Sequence, residues 1–364
     1  MLFVGRSRIA VPLDPWLAKK WDAVGRQLDF RVLTTLTGTA GDDRFVALPD
    51  PAPLFYAALV PATARLLRSY RPEAIVATDP FVAAGALAAR RLARSRAKVI
   101  VEVHGDPMTF TRLYGSPARR VLSQPADGLA RRSLVHADAT RALSAFTSSV
   151  VERVRGLPAT ACFPTYSDLS AFADPPRVPV PDEQRLVFVG ALEPYKNVRG
   201  LSGAWREVAT ALPGAHLTIV GSGSQQSVVD ELVRDLPRSV THRRALAPPE
   251  VAAALDAARA LVLPSWPEGL GRVVLESFAR ARTVVATEAG GIPDIVTGGA
   301  DGILIPPGDT AALVDGMTRV LLDRPLAERL GAAARETYAA WHQTADDFAA
   351  SYRELVERAL AGAR

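Results

Sequence analysis

A single cysteine, Cys162, stands in 364 residues. That excludes an intramolecular disulfide framework and any multi-cysteine metal site, and it fits a reducing compartment. No run approaches the roughly 20 apolar residues that span a bilayer. The apolar start, Met1-Leu-Phe-Val-Gly5, is too short for a signal-peptide core and reads as a first strand. The chain has no H-E-x-x-H and no Asp-x-Asp pair, so those two metal-holding patterns are set aside. It also lacks solenoid-type repeats and low-complexity tracts. Charged residues at 22% and hydrophobic residues at 48% exclude disorder, and the length suits two domains with separate cores. The expected placement is cytoplasmic, or peripheral on the inner face of the plasma membrane.

The net charge of +5 is unevenly spread. Residues 1–165 hold 23 Lys+Arg and 13 Asp+Glu, hence +10, whereas residues 166–364 hold 20 and 25, hence −5. Arg90, Arg91, Arg94, Arg96, Arg119, Arg120, Arg131 and Arg132 supply much of the excess. Solvated helix faces explain such a distribution, as does a surface for anionic lipid or a lipid-phosphate acceptor. Nucleic acid is disfavoured, because the basic runs lack interleaved aromatics and no recognition motif accompanies them.

Strand and helix patterns alternate along the chain, the signal for parallel sheets covered on both faces. Strands are expected at Leu2–Val4, Phe30–Leu33, Ala74–Thr78, Val99–Val103 and Ala139–Leu143, with helices at Pro12–Ala23, Ala83–Ala97 and Ser144–Arg155. Between Phe163 and Asp182 the pattern dissolves into Pro164, Pro175, Pro176, Pro179 and Pro181 among Ser and Asp, which reads as a linker. Alternation resumes with strands at Leu186–Val189, Leu217–Val220, Val240–His242, Ala260–Leu263, Val284–Ala286 and Gly302–Leu304, and the tail is helical with a break near Trp341. The expected fold class is α/β, with domains at 1–165 and 184–340, a linker at 166–183 and a helical segment at 341–364. Two doubly wound domains place ligands beyond the carboxyl ends of their strands.

The most informative stretch runs from Pro264 to Glu276, Pro-Ser-Trp-Pro-Glu-Gly-Leu-Gly-Arg-Val-Val-Leu-Glu. Glu268 is expected on a loop at a helix N-terminus and Glu276 about two turns into that helix. Gly269 and Gly271 leave the backbone between them bare, so its N–H groups can approach an anion at the positive helix end. Carboxylates suit sugar hydroxyls and bare amides suit a diphosphate, and a nucleotide-sugar offers both.

This segment resembles the E-x7-E signature of retaining glycosyltransferases of the GT-B fold, especially glycosyltransferase family 4. The surroundings give the signature its specificity: Val187-Phe-Val-Gly-Ala-Leu-Glu-Pro-Tyr-Lys-Asn197, Leu217-Thr-Ile-Val-Gly-Ser-Gly223, Gly290-Gly-Ile-Pro-Asp294 and Asp301-Gly-Ile-Leu-Ile-Pro-Pro-Gly308 follow in the family's order. The resemblance implies two Rossmann-like domains facing across a cleft, an N-terminal domain for the acceptor and a C-terminal one for the donor. It also implies a last helix, Asp346–Ala361, that crosses back to the N-terminal domain. It further implies metal-independent transfer with retention and no cofactor, the nucleotide-sugar being a co-substrate.

By the same resemblance, Lys196 stabilises the departing diphosphate, Glu268 lies near the donor sugar, Glu276 binds ribose hydroxyls and His104 meets the donor sugar from the N-terminal domain. These make Lys196, Glu268 and His104 the expected catalytic residues. The expected donor set adds Gly5, Arg6, Gly190, Gly221, Gly223, Arg244, Leu246, Gly269, Leu270, Gly271, Arg272 and Glu276. Arg8, Trp16 and Asp106 are the expected acceptor-side residues, within stretches at Arg6–Trp21 and Asp106–Ser116. The chain departs from the pattern at Ala191, where the family commonly has a diphosphate-clamping arginine, and Arg272 and Arg6 are the candidate substitutes. Ala191 keeps open a GT-B partner or scaffold that binds nucleotide-sugar without turnover, and an epimerase or hydrolase is a further enzyme reading. Glycan, lipid-linked glycan and small-molecule acceptors all fit, with cell-surface polysaccharide biosynthesis as the default setting.

Overall fold

Short runs of Val, Ile, Leu and Ala bounded by turns suit strands buried on both faces, and the protein uses them so. The structure, a computed structural model, describes residues 1–38, 41–108 and 123–362. It divides into two units, Met1–Asp168 with Gln343–Arg364, and Leu169–His342.

The first unit is built on β1 (Leu2–Val11), β2 (Arg31–Gly38), β3 (Phe45–Leu48), β4 (Ala74–Ala77), β5 (Lys98–Val103), β6 (Ala139–Ala142) and β7 (Ala161–Cys162). These pair in the order β3-β2-β1-β4-β5-β6-β7, all parallel. Gly5–Arg8, beyond the expected strand Leu2–Val4, forms an irregularity inside β1, whose register against β2 shifts between Val4 and Arg8. Packing requires bare backbone there, since a Cβ on Gly5 would lie 2.6 Å from Thr78 Cγ2.

The expected helices at Pro12–Ala23 and Ala83–Ala97 occupy Pro15–Gln27 and Pro80–Ala93. Asp79 caps the second by accepting from the Phe81 and Val82 amides, and Ser144 caps Ala145–Arg155 in a capping box with Thr147. Strand β3 and the helices Ala52–Ser69 and Ser123–His136 were not legible in the sequence. Pro53 and Pro61 disguised the first of these helices: Pro53 sits in its opening turn, where proline is at home, and Pro61 lies in its interior.

The second unit is built on β8 (Arg185–Val189), β9 (His216–Val220), β10 (Val240–Arg243), β11 (Ala260–Leu263), β12 (Thr283–Thr287) and β13 (Gly302–Ile305), again parallel, in the order β10-β9-β8-β11-β12-β13. In both sheets the strand order reverses beside the first strand, between β1 and β4 and between β8 and β11. Doubly wound sheets bind ligands beyond the carboxyl ends at such a switch point.

The stretch expected as a linker is tied down over most of its length. Proline has no N–H and the segment makes no ladder, so its carbonyls need outside donors. Buried arginines of the second unit supply them. Arg280 donates to the carbonyls of Phe172, Pro175 and Pro176 at 2.8–3.1 Å. Arg282 reaches Val178 and Pro179 at 3.0 and 2.9 Å, and Arg259 reaches Pro181 and Glu183 at 3.2 and 3.1 Å. The planar five-donor fork of arginine fits a row of carbonyls in a way that lysine cannot.

The last helix, Ala345–Leu360, belongs to the first unit, where it packs on helix Pro15–Gln27. Its Tyr352 makes edge-to-face contacts with Phe3, Phe163 and Phe348 at centroid distances of 5.4, 5.3 and 4.9 Å. Among the described residues no helix is long and apolar enough to cross a membrane.

Candidate active site

Beyond the carboxyl end of β8 the chain passes Gly190 and turns through a short 3₁₀ segment, Pro194–Lys196. Asn197 then enters the left-handed region at φ +52° and caps helix Val198–Ala211. This turn folds the lysine stem back over Gly190, where an added Cβ would lie 3.3 Å from Lys196 Cε. The next loop needs glycine more strictly. Gly221 has φ +143°, and a Cβ on it would lie 1.9 Å from the Gly190 carbonyl oxygen. Glu193 ties the two loops together by accepting from the Ser224 amide at 3.0 Å and its hydroxyl at 2.6 Å.

Beyond β11, the Trp266 amide donates to the Tyr195 carbonyl at 2.7 Å, fixing the 264–268 loop beside Lys196. The Lys196 ammonium donates to both Glu268 carboxylate oxygens, at 2.8 and 2.9 Å. Both side chains are about nine-tenths buried, so each charge depends on the other. Glu268 is also held through its backbone. It bridges to Gly290, its carbonyl accepts from the Gly291 amide at 2.8 Å, and a Cβ on Gly290 would meet that carbonyl at 2.2 Å. The Gly290-Gly291 pair therefore permits the close approach that sets Glu268.

Helix Arg272–Ala279 starts after Gly271, which has φ +83°, and no side chain caps its first amides. Glu276 is four residues past the first helical residue, so it lies just over one turn in rather than about two. It is buried, and burial pushes its carboxyl pKa up against the opposing pull of Arg272 and Lys196. Arg272 Nε pairs with Glu276 at 3.0 Å while its side chain stays 65% exposed. Lys196, Glu268, Arg272 and Glu276 thus gather two cations and two carboxylates beside an open helix N-terminus.

The other expected donor residues divide. Gly223 lies against the Leu192 carbonyl, where a Cβ would come within 2.6 Å. Gly269 sits under Gly291, with its carbonyl 2.3 Å from a Cβ built there. Leu270 is buried in the second unit's core and Leu246 packs against it, so these two anchor their loops. Arg244 is exposed, as is Ala191, the position that departs from the family.

In the first unit, His104 follows β5 directly, 40% exposed, with Nε2 3.1 Å from Glu102 Oε2. Arg6 is exposed, and with His104 it lies in the field of Asp79. Arg8 pairs with Asp50. Trp16 is 43% exposed near the start of its helix. Asp106 accepts from the Met108 amide at 3.0 Å and lies 3.7 Å from Arg153. The acceptor stretch beyond Met108, together with Arg119 and Arg120, lies outside the described residues. Among the described residues no group of three or more His, Cys, Asp or Glu is placed to hold a metal ion.

Sequence reasoning missed Glu193, Asp79 and the partners of His104. The one signal for the last was a glutamate inside the apolar run Lys98-Val-Ile-Val-Glu-Val103, where an unpaired charge could not be buried.

Two family models match in sequence order. Residues 17–164 match the glycosyl transferase 4-like domain and residues 183–323 match glycosyl transferases group 1. The chain belongs to the group 1 glycosyltransferases. The chain is 30% identical over 285 residues to a glycogen synthase of Mycobacterium tuberculosis, covering 74% of the present chain and 65% of the synthase. It spans 30% to 46% of the length of other curated relatives, among them a sulfoquinovosyl transferase of Arabidopsis thaliana and a D-inositol 3-phosphate glycosyltransferase of Paenarthrobacter aurescens. Sucrose-phosphate synthase from Thermosynechococcus elongatus superposes with a TM-score of 0.79 over 99% of both chains at 19% identity. Anabaena HepE in complex with UDP gives 0.71 over 99% of both chains at 18% identity. At such identities the structural likeness establishes the GT-B fold and nothing finer.

Proposed function

We propose that the protein is a retaining glycosyltransferase that moves a hexose or N-acetylhexosamine from a nucleotide diphospho-sugar to an acceptor hydroxyl without a metal ion. The observation that carries this reading is the constellation of Lys196, Glu268, Arg272 and Glu276 at the uncapped N-terminus of helix Arg272–Ala279. Cleavage of the bond from the anomeric carbon to the phosphate oxygen leaves its electron pair on the diphosphate. A fixed ammonium and oriented amides lower the energy of that charge with little reorganisation. Arg272 takes the clamping role vacated at Ala191, and Glu276 takes the ribose hydroxyls. The diphosphate oxygen that leaves accepts the proton of the incoming hydroxyl, so the acceptor attacks from the face of departure and configuration is kept.

UDP-sugar is preferred over GDP-sugar as donor, since the solved complexes of the HepE neighbour hold UDP and UDP-glucose. The acceptor is a glycan, a lipid-linked glycan or a small molecule. The arginine-rich first unit suits one that carries phosphate.

The test is a transfer panel of UDP- and GDP-sugars against phosphorylated, lipid-linked and free glycosyl acceptors, run in EDTA, with the anomeric configuration of any product read by proton NMR. Transfer in EDTA with the donor's configuration preserved is the expected result. An inverted product, or transfer that needs added metal, contradicts the proposal. A second reading is favoured by Ala191 alone: a binding partner without turnover would bind nucleotide-sugar yet transfer nothing to any acceptor.

A further inference from the structure

The buried surroundings of His104 contain an ionic network that the function above does not use. Glu102, on β5, is 4% exposed. Its Oε1 accepts from Arg141 Nη1 at 2.5 Å and from the Tyr352 hydroxyl, which leaves Oε2 for His104 Nε2 at 3.1 Å. Arg141, on β6, uses both of its terminal nitrogens, while its buried Nε has no hydrogen-bond partner among the described residues. It donates to the Tyr352 hydroxyl at 3.1 Å, the Phe163 carbonyl at 3.1 Å and Thr165 Oγ1 at 3.3 Å. Its guanidinium also lies 4.3 Å from the Phe163 ring centre. The network thus joins β5, β6, the Phe163–Thr165 segment and the terminal helix.

Burying a carboxylate and a guanidinium together costs desolvation that their attraction only partly offsets. An apolar pair would hold this core as well, so stability alone does not account for the arrangement. Its geometry has a chemical consequence at the one partner that reaches solvent. We infer that Glu102 is a positioning residue that fixes the His104 ring in the tautomer protonated at Nε2, leaving Nδ1 as the acceptor for a ligand hydroxyl. Burial raises the Glu102 pKa, but Arg141, His104 and Lys20 outweigh it and hold it at about 2. The carboxylate therefore stays ionised at working pH and can only accept. The ring nitrogen facing it carries the proton, which leaves Nδ1 as the nitrogen that can present a lone pair. The other charged groups around the histidine, Asp79 and Arg6, are not hydrogen-bonded to the ring. Tyr352 gives the terminal helix a share in aiming a residue more than 240 positions earlier in the chain.

This inference rests on reading His104 as a ligand-facing residue, and the experiment separates the two. In protein labelled with ¹⁵N-histidine, long-range proton–nitrogen correlation, with the His104 signals assigned from a His104→Gln variant, should show a pyrrole-type Nε2 and a pyridine-type Nδ1. A wild-type spectrum with the proton on Nδ1, or with the two tautomers mixed, overturns the inference without any further variant. The double variant Glu102→Gln with Arg141→Met removes both charges, so neither is stranded. It should mix the tautomers and lower kcat for UDP release from UDP-glucose about 10- to 100-fold with little change in KM. A double variant that keeps both the wild-type tautomer and kcat overturns the positioning role. Unchanged kcat in His104→Gln would instead sink the reading of His104 itself, whatever its tautomer.

Discussion

Replacing Lys196 with methionine is expected to lower kcat for sugar transfer about a thousandfold, the scale on which loss of one preorganised group facing transition-state charge is felt. Among the described residues the lysine has one charge partner within hydrogen-bonding range, Glu268 at 2.8 and 2.9 Å, and the turn at Asn197 fixes its direction. The substitution also strands a carboxylate that is nearly nine-tenths buried, which costs about 3–5 kcal/mol when a buried pair is broken from one side. Lost activity in the single variant therefore mixes chemistry with stability. Lys196→Met combined with Glu268→Gln removes both charges and should recover most of the urea midpoint while recovering none of the turnover. A double variant that regains a tenth or more of wild-type kcat would show that the pair serves the fold and not the reaction.

Arg282→Met should destabilise the second unit by about 3–4 kcal/mol, among the largest effects of any single substitution. Its side chain is 1% exposed and donates to the carbonyls of Ala258, Arg280, Val178, Pro179 and Asp256 at 2.9–3.1 Å. Methionine fills the volume but removes the donors of all five carbonyls, those of Ala258 and Arg280 in buried surroundings and those of Val178, Pro179 and Asp256 in partly buried ones. Burial lowers the Arg282 pKa, with Asp256 opposing, so part of the penalty is returned when the charge goes. Lysine should rescue little, since three donors from one point cannot span the row. Urea unfolding followed by Trp fluorescence gives the number; a loss below 1 kcal/mol would mean that the 178–179 segment is held by other contacts.

The two cases show what could be read from the sequence and what could not. The placement of Glu268 and Glu276 could be read because both sit in a local pattern of glycines and apolar runs that specifies a strand, a turn and a helix start, whereas Lys196 was picked out by its resemblance to the family's motif. The same logic gave the positions of most strands along the chain, though not their order within each sheet. The run of prolines from Pro175 to Pro181 looked unstructured because its order comes from elsewhere, from arginine side chains about 80 to 105 positions away. The network at His104 was hidden for the same reason. Glu102 is completed by Arg141, 39 positions on, and by Tyr352, 250 positions on, and no local pattern announces a partner at that distance. Arg272 was read as a candidate phosphate clamp, and its pairing with Glu276 shows that a diphosphate would have to compete for it.

The central claim is that the second unit binds a nucleoside diphosphate through Glu276 and the open helix beside it. Titration calorimetry with UDP, GDP, ADP and TDP, in EDTA and then with magnesium, tests it most directly. One diphosphate, UDP, should bind selectively and equally well with or without metal, and Glu276→Ala should weaken it at least tenfold, the loss of about 1.4 kcal/mol. Folded protein that binds none of the four, or a Glu276→Ala variant that binds as tightly as the wild type, would contradict the account.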